Sequence, residues 1–439
     1  MSGISWSRSD FPEDFRFGTA TSSYQIEGNA KGGCGPSHWD AFARDGGTLR
    51  GEDGSVACDH LNRWREDLDL VSQAGFDGYR FSVAWPRVQP AGSGQVNREG
   101  LDFYDALVDG LLARNVEPHL TLYHWDLPLP LAEKGGWTNR DTAKRFGDFT
   151  EIVMDRIGDR MASVATINEP WCVAWLSHFE GHHAPGLTDI GAAGKAMHNI
   201  LLAHAHGLDA IRAHGDRPAG IVLNFEAALP ARANDKSETA ADLYDGIYNR
   251  WFLQALTTGT YPEAVLEGLE SHLPQGWQDD MAKIARPIDW LGINYYTRSL
   301  VDRDDTLPWP HLKTSRGELE RTATDWEIYP EGIHQFLTRI AEQTGDLPLH
   351  VTENGLATNE RPDQSDDQRI RYLDQHGEQL LRAIADDVPL HSYFIWSLLD
   401  NFEWALGYDM RFGLTHVDFD TQARTPKASY GEVRDALSR

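Results

Sequence analysis

Eight short runs rich in β-branched and aromatic residues recur along this 439-residue chain, each followed by a longer amphipathic stretch. The runs are 15–21, 78–83, 117–123, 164–168, 220–224, 290–296, 349–353 and 392–396. Between and after them, helical periodicity covers roughly 60–74, 98–114, 140–157, 192–213, 239–258, 332–343, 366–387 and 427–437. Parallel strands need a crossover long enough for a helix, so this alternation predicts a parallel sheet. No break in composition and no Pro, Ser or Gly linker divides the chain. The expectation is a single (β/α)8 TIM barrel spanning residues 1–439, with long loops 30–59, 174–189 and 301–328 on its catalytic face.

In such a barrel the C-terminal strand ends converge on one mouth, so residues far apart in sequence meet around one ligand. Two runs deliver a carboxyl group there. Val164-Ala165-Thr166-Ile167-Asn168-Glu169-Pro170 ends in a proline that cannot continue a ladder, which places Asn168 and Glu169 at a strand end. Leu349-His350-Val351-Thr352-Glu353-Asn354-Gly355 repeats the pattern before a glycine turn. The other strand ends supply Gln25, Arg80, His124 with Trp125, Asn224, Asn294 with Tyr296, and Trp396 followed by Glu403 and Trp404. Amides, indole faces and carboxyls are what a neutral polyhydroxylated ring requires. Asn224 is marked by strand position alone. Asn294 and Tyr296 are two apart and share a face, so Tyr296 should point inward and Tyr295 outward.

Composition excludes other classes. Lys+Arg of 40 against Asp+Glu of 67 gives a formal charge of −27, which repels nucleic acid and anionic membranes. Cys34, Cys58 and Cys172 form no CxxC pair, so neither a disulfide framework nor a zinc site is expected. The first residues lack a signal-peptide apolar core and no stretch is apolar enough to span a membrane. The expectation is a cytoplasmic protein, a monomer or homo-oligomer, acting on a small molecule. His182-His183, with His178 nearby, are followed by no convincing further ligand at zinc-site spacing, and Gly32-Gly33-Cys34-Gly35 opens no helix, so no metal, nucleotide or other cofactor is expected.

Five stretches together resemble glycoside hydrolase family 1, the β-glucosidase and β-galactosidase group. They are 15–28 (FRFGTATSSYQIEG), Thr166-Ile167-Asn168-Glu169-Pro170, Asn294-Tyr295-Tyr296, Val351-Thr352-Glu353-Asn354-Gly355 and 396–404 (WSLLDNFEW). The resemblance implies a retaining exo-β-glycosidase acting on β-D-glucosides such as cellobiose and aryl glucosides, and on β-galactosides and β-fucosides. Glu353 would be the nucleophile and Glu169 the acid/base, their carboxyls about 5–5.5 Å apart as retaining enzymes require. Arg80 would keep Glu353 ionised, with Tyr296 donating to it. Gln25, His124, Asn168 and Glu403 would hold glycone hydroxyls, Trp396 and Trp404 would stack on the sugar, and Trp171, Leu176 and Trp326 would line the aglycone entrance. A 6-phospho-β-glycosidase is disfavoured because Glu403 would repel a phosphate. A catalytically dead sugar binder should lack one glutamate, and an NAD-type oxidoreductase should carry a glycine fingerprint after the first strand.

Overall fold

A computed structural model describes residues 3–359 and 365–438. Eight parallel strands form its centre: β1 (Arg16–Ala20), β2 (Gly78–Ser82), β3 (Glu117–Tyr123), β4 (Ser163–Asn168), β5 (Ala219–Pro230), β6 (Trp290–Arg303), β7 (Leu349–Asn354) and β8 (Leu390–Trp396). Each pairs with its neighbours in chain order. β8 returns to β1 in register from Arg16–Ser392 to Ala20–Trp396, which closes the sheet as a (β/α)8 barrel. Closure leaves the barrel strands without an open edge.

Strands covered on both faces should be buried along their whole length, and all five residues of β2 are. The interior is filled by large side chains opposite glycines. A Cβ on Gly18 would lie 2.2 Å from the Phe394 ring, and one on Gly78 would lie 2.8 Å from His119. These glycines make room for the barrel core. Outside, Arg140–Ile157 shows how the helices are specified. Asn139 caps it by accepting from the Asp141 N–H, and Phe146, Phe149, Val153, Met154 and Ile157 bury one stripe.

Several elements differ from the sequence expectation. The fifth and sixth strands run past the barrel rim to Pro230 and Arg303, because they continue to pair from Ala227–Arg298 to Pro230–Val301. The stretch 301–328 is therefore not all loop; Leu312–Ser315 adds an antiparallel strand to β6. Loop 30–59 contains the helix His38–Arg44, started by a reciprocal Ser37–Asp40 capping box. Stretch 174–189 begins inside a π-helical turn, Cys172–Leu176. The 239–258 helix starts earlier, at Asp235, because Asn234 accepts from the Ser237 N–H, and it is interrupted by a second π-helical turn, Gly246–Arg250. Helices Glu263–Leu269 and Trp277–Ile284 are too short for periodicity to reveal. Among the described residues, no helix is long and apolar enough to cross a membrane.

Candidate active site

β4 stops at Asn168, and Glu169 takes a left-handed backbone with φ 51° before Pro170. A side-chain-bearing residue adopts that conformation at a cost, so the surroundings must hold it. The Glu169 N–H donates to the Val222 carbonyl at 2.9 Å, and the Trp125 indole N–H donates to the Asn168 carbonyl at 2.9 Å. Trp125 and Trp404 share the left-handed conformation, at φ 78° and 51°. So anchored, the Glu169 carboxyl receives the Asn294 amide on Oε1 at 2.7 Å and the Cys172 thiol on Oε2 at 3.1 Å.

Glu353 sits near the end of β7, where β6 pairs it with Asn294. Arg80 crosses the barrel from β2. Its Nη1 donates to Glu353 Oε1 at 2.5 Å, its Nη2 to Asn168 Oδ1 at 2.7 Å and its Nε to Thr121 at 3.1 Å. The Tyr296 hydroxyl donates to Glu353 Oε2 at 2.8 Å. Both oxygens thus accept from a donor, one of them charged, which is the setting of a carboxylate. Tyr295 faces outward, donating to the Tyr329 carbonyl at 2.7 Å and packing on Phe336.

Burial first, and the Glu353 charge second, push the Glu169 carboxyl up to about 8. Asn294 and Cys172 oppose the rise, because their hydrogen bonds favour the anion. Glu403 is raised to about 8 in the same way, by burial and then by Glu353 and Glu169. Burial, and then Glu353, also raise the Tyr296 hydroxyl, which keeps it a donor.

Hydrogen bonding also sets the state of His124. Asn168 Oδ1 accepts from Arg80 and from Asn294 at 3.1 Å, so its Nδ2 must face His124 Nε2, 3.2 Å away. An amide nitrogen only donates, so Nε2 accepts and Nδ1 carries the proton. Burial and Arg80 hold the imidazole well below its usual range, hence neutral. Its Nδ1 is buried and has no hydrogen-bond partner among the described residues. The ring lies nearly parallel to Trp396 and Trp404, at 5.7 and 6.0 Å. Gln25 is held by Ser22 at 2.5 Å and donates to the Phe402 carbonyl at 2.8 Å and to Glu403 at 3.4 Å.

These groups meet at a cavity of about 370 Å³. His124, Glu169, Asn224, Tyr296, Trp326, Glu353, Trp396, Glu403 and Trp404 line it, as do Trp171 and Leu176. Gln25, Arg80, Asn168 and Asn294 are buried behind that lining. Asn294 spends its amide on Asn168 and Glu169, and its carbonyl accepts from Thr352 at 2.7 Å, so it orients a carboxyl from within the wall. His183 packs against Trp39 and Trp125, and burial lowers it to about 3. The sequence reading missed Cys172, Glu180, Glu226, Tyr244, Tyr248 and Arg316, which also line the cavity. Glu226 stands two residues beyond Asn224 on β5, so recognising the longer strand would have found it. Cys172 lies three residues after Glu169 on a helical turn, a spacing that alone marks it as a neighbour.

A closed barrel whose mouth gathers buried carboxyls, amides and indole faces defines a carbohydrate-active barrel enzyme. The sequence matches the family model for glycosyl hydrolase family 1 over residues 7–434. The chain is 45% identical over 438 residues to a β-glucosidase of Agrobacterium sp., covering 98% of this chain and 95% of that protein. It is 44% identical over 427 residues to a 1,4-β-D-glucan glucohydrolase of Thermotoga neapolitana, covering 95% and 96%. A bifunctional β-D-glucosidase/β-D-fucosidase of Bifidobacterium breve is 40% identical over 451 residues, covering 97% of each. The solved family 1 β-glucosidase of Thermotoga maritima in complex with isofagomine lactam superposes with a TM-score of 0.94 at 42% identity, covering 98% of both chains. This chain belongs to glycosyl hydrolase family 1, and it is a glycoside hydrolase.

Proposed function

We propose that the chain is a retaining, exo-acting β-glucosidase formed as one catalytic domain, with β-D-glucosides as main substrates and β-fucosides and β-galactosides also accepted. The observation that carries this reading is the contrast between two glutamates in one cavity. Both are buried, but Glu353 accepts from the Arg80 guanidinium and Tyr296, whereas Glu169 accepts from the neutral Asn294 and Cys172 and is raised to about 8, protonated at neutral pH. Such a pair splits the work of a nucleophile and an acid. Glu353 attacks the anomeric carbon while Glu169 gives its proton to the leaving oxygen. Esterification removes the negative charge of Glu353, and with it the second cause of the raised Glu169 pKa. Glu169 then serves as the base that deprotonates water, which displaces Glu353 from the anomeric carbon. Acid, base and nucleophile all come from the chain.

His124, Gln25 and Glu403 would hold glycone hydroxyls, with Asn168 toward the 2-hydroxyl, and Trp396 and Trp404 would face the ring. Trp171, Leu176 and Trp326 form the aglycone side. The names of the glucosidase and glucosidase/fucosidase relatives support the substrate choice. Three free thiols suit a reducing compartment. The test is a panel of nitrophenyl glycosides followed by NMR. Hydrolysis of the β-glucoside with β-glucose appearing first is expected; α-glucose appearing first, or no glucose release, would overturn the reading.

A further inference from the structure

A second cavity, of about 440 Å³, adjoins the catalytic one. The two share Trp171, Glu180, His182, Tyr244, Tyr248 and Thr314, so they meet along these side chains. The Trp171 and Tyr248 rings stack at the junction, centroids 4.1 Å apart. The outer chamber alone is lined by Trp175, Phe179 and Ile247 from the segments after β4 and β5, and by Leu307, Pro308, Pro310 and Leu312 from the excursion after β6. Every one of these is apolar, and the one polar atom among their side chains, the Trp175 indole nitrogen, is bonded to Glu180. All the other hydrogen-bonding side chains stand at the junction. A sugar would have to give up its water hydrogen bonds without replacement in such a chamber, whereas a hydrocarbon loses nothing.

The local backbone points the same way. Trp175 lies on the π-helical turn Cys172–Leu176, and Ile247 and Tyr248 lie on the other, Gly246–Arg250. Single π-helical turns recur at functional sites. The first of them begins three residues after Glu169, so the chamber lies on the side of the proton donor, past which the leaving group must depart. Leu307, 38% exposed, places an apolar side chain at its rim.

We propose that the outer chamber binds an apolar tail carried by the aglycone, such as the hydrocarbon chain of an n-alkyl β-glucoside. The proposal rests on the β-glucosidase reading for the position of the aglycone. Non-hydrolysable n-alkyl β-thioglucosides, followed by calorimetry, test the chamber without catalysis. Octyl β-thioglucoside should bind at least tenfold tighter than the methyl compound, within a ceiling of about fourfold per buried methylene. An oligo(ethylene glycol) tail of equal length should lose that gain. Leu312→Trp, which fills the chamber, should abolish the octyl advantage, and Ile247→Phe should do so from another wall if the first variant folds poorly. Equal affinity for methyl and octyl, an equal gain from the glycol tail, or an octyl advantage that survives both substitutions in folded protein would overturn the proposal. Nitrophenyl β-glucoside hydrolysis scores the catalytic reading separately: its absence beside an intact octyl advantage counts against the function and not against the chamber.

Discussion

Arg80 holds Glu353 and Asn168 with different nitrogens, and Asn294 holds Asn168 and Glu169 with one amide. The two glutamates therefore share a network but not an environment, and each predicts its own defect. Glu169→Ala should slow alkyl glucosides by roughly 10²–10⁴, the usual worth of a general acid, and dinitrophenyl glucosides far less, since their leaving group needs no proton. Equal losses on both would remove Glu169 as the acid. The raised pKa of Glu169 also fixes the sign of the pH dependence. The proton-donating form is full well below about 8 and is lost as pH rises through it, so glycosylation should fail on the alkaline side. Glu353→Gln removes the neighbouring charge and should lower the Glu169 pKa. Carbon-13 NMR of the labelled carboxyl reads the shift, and an unmoved titration would mean that burial alone sets it.

Among the elements, the end of β7 leaves little room for change. A Cβ on Gly355 would stand 1.8 Å from the Trp396 backbone oxygen, which has no flexible end to move aside. Gly355→Ala should push β7 and β8 apart, costing about 1–3 kcal/mol of stability as overpacking does, and should cut kcat by displacing Glu353 and Trp396 together. Thermal denaturation and turnover on one preparation check both; a stable variant of undiminished activity would show that the strand ends part freely. The same strand shows what was legible. β7, β4 and their carboxyls could be read because a β-branched run stopped by Pro170 or Gly355 is a local signal. The extensions of β5 and β6 could not, since their pairing beyond Phe225 and Tyr295 depends on two segments meeting in space. Glu226 and Tyr244, joined at 2.9 Å across that extension, were missed for the same reason. The orientation of Asn168, which fixes the His124 tautomer, follows from Arg80 and Asn294 and not from any motif.

At the scale of the whole molecule, the barrel is the device that makes a pair out of residues 169 and 353. β4 and β7 are not neighbours in the sheet, and only closure brings Arg80 from β2 and Asn294 from β6 between their ends. The proposed mechanism requires Glu353 to be the nucleophile. Glu353→Gly should abolish hydrolysis of activated aryl β-glucosides, and azide added in the space left by the carboxylate should restore turnover. The product is the decisive measurement. Attack from the vacated side inverts the anomeric carbon, so α-glucosyl azide is expected; recovery of β-glucosyl azide from this variant would contradict the nucleophile role of Glu353.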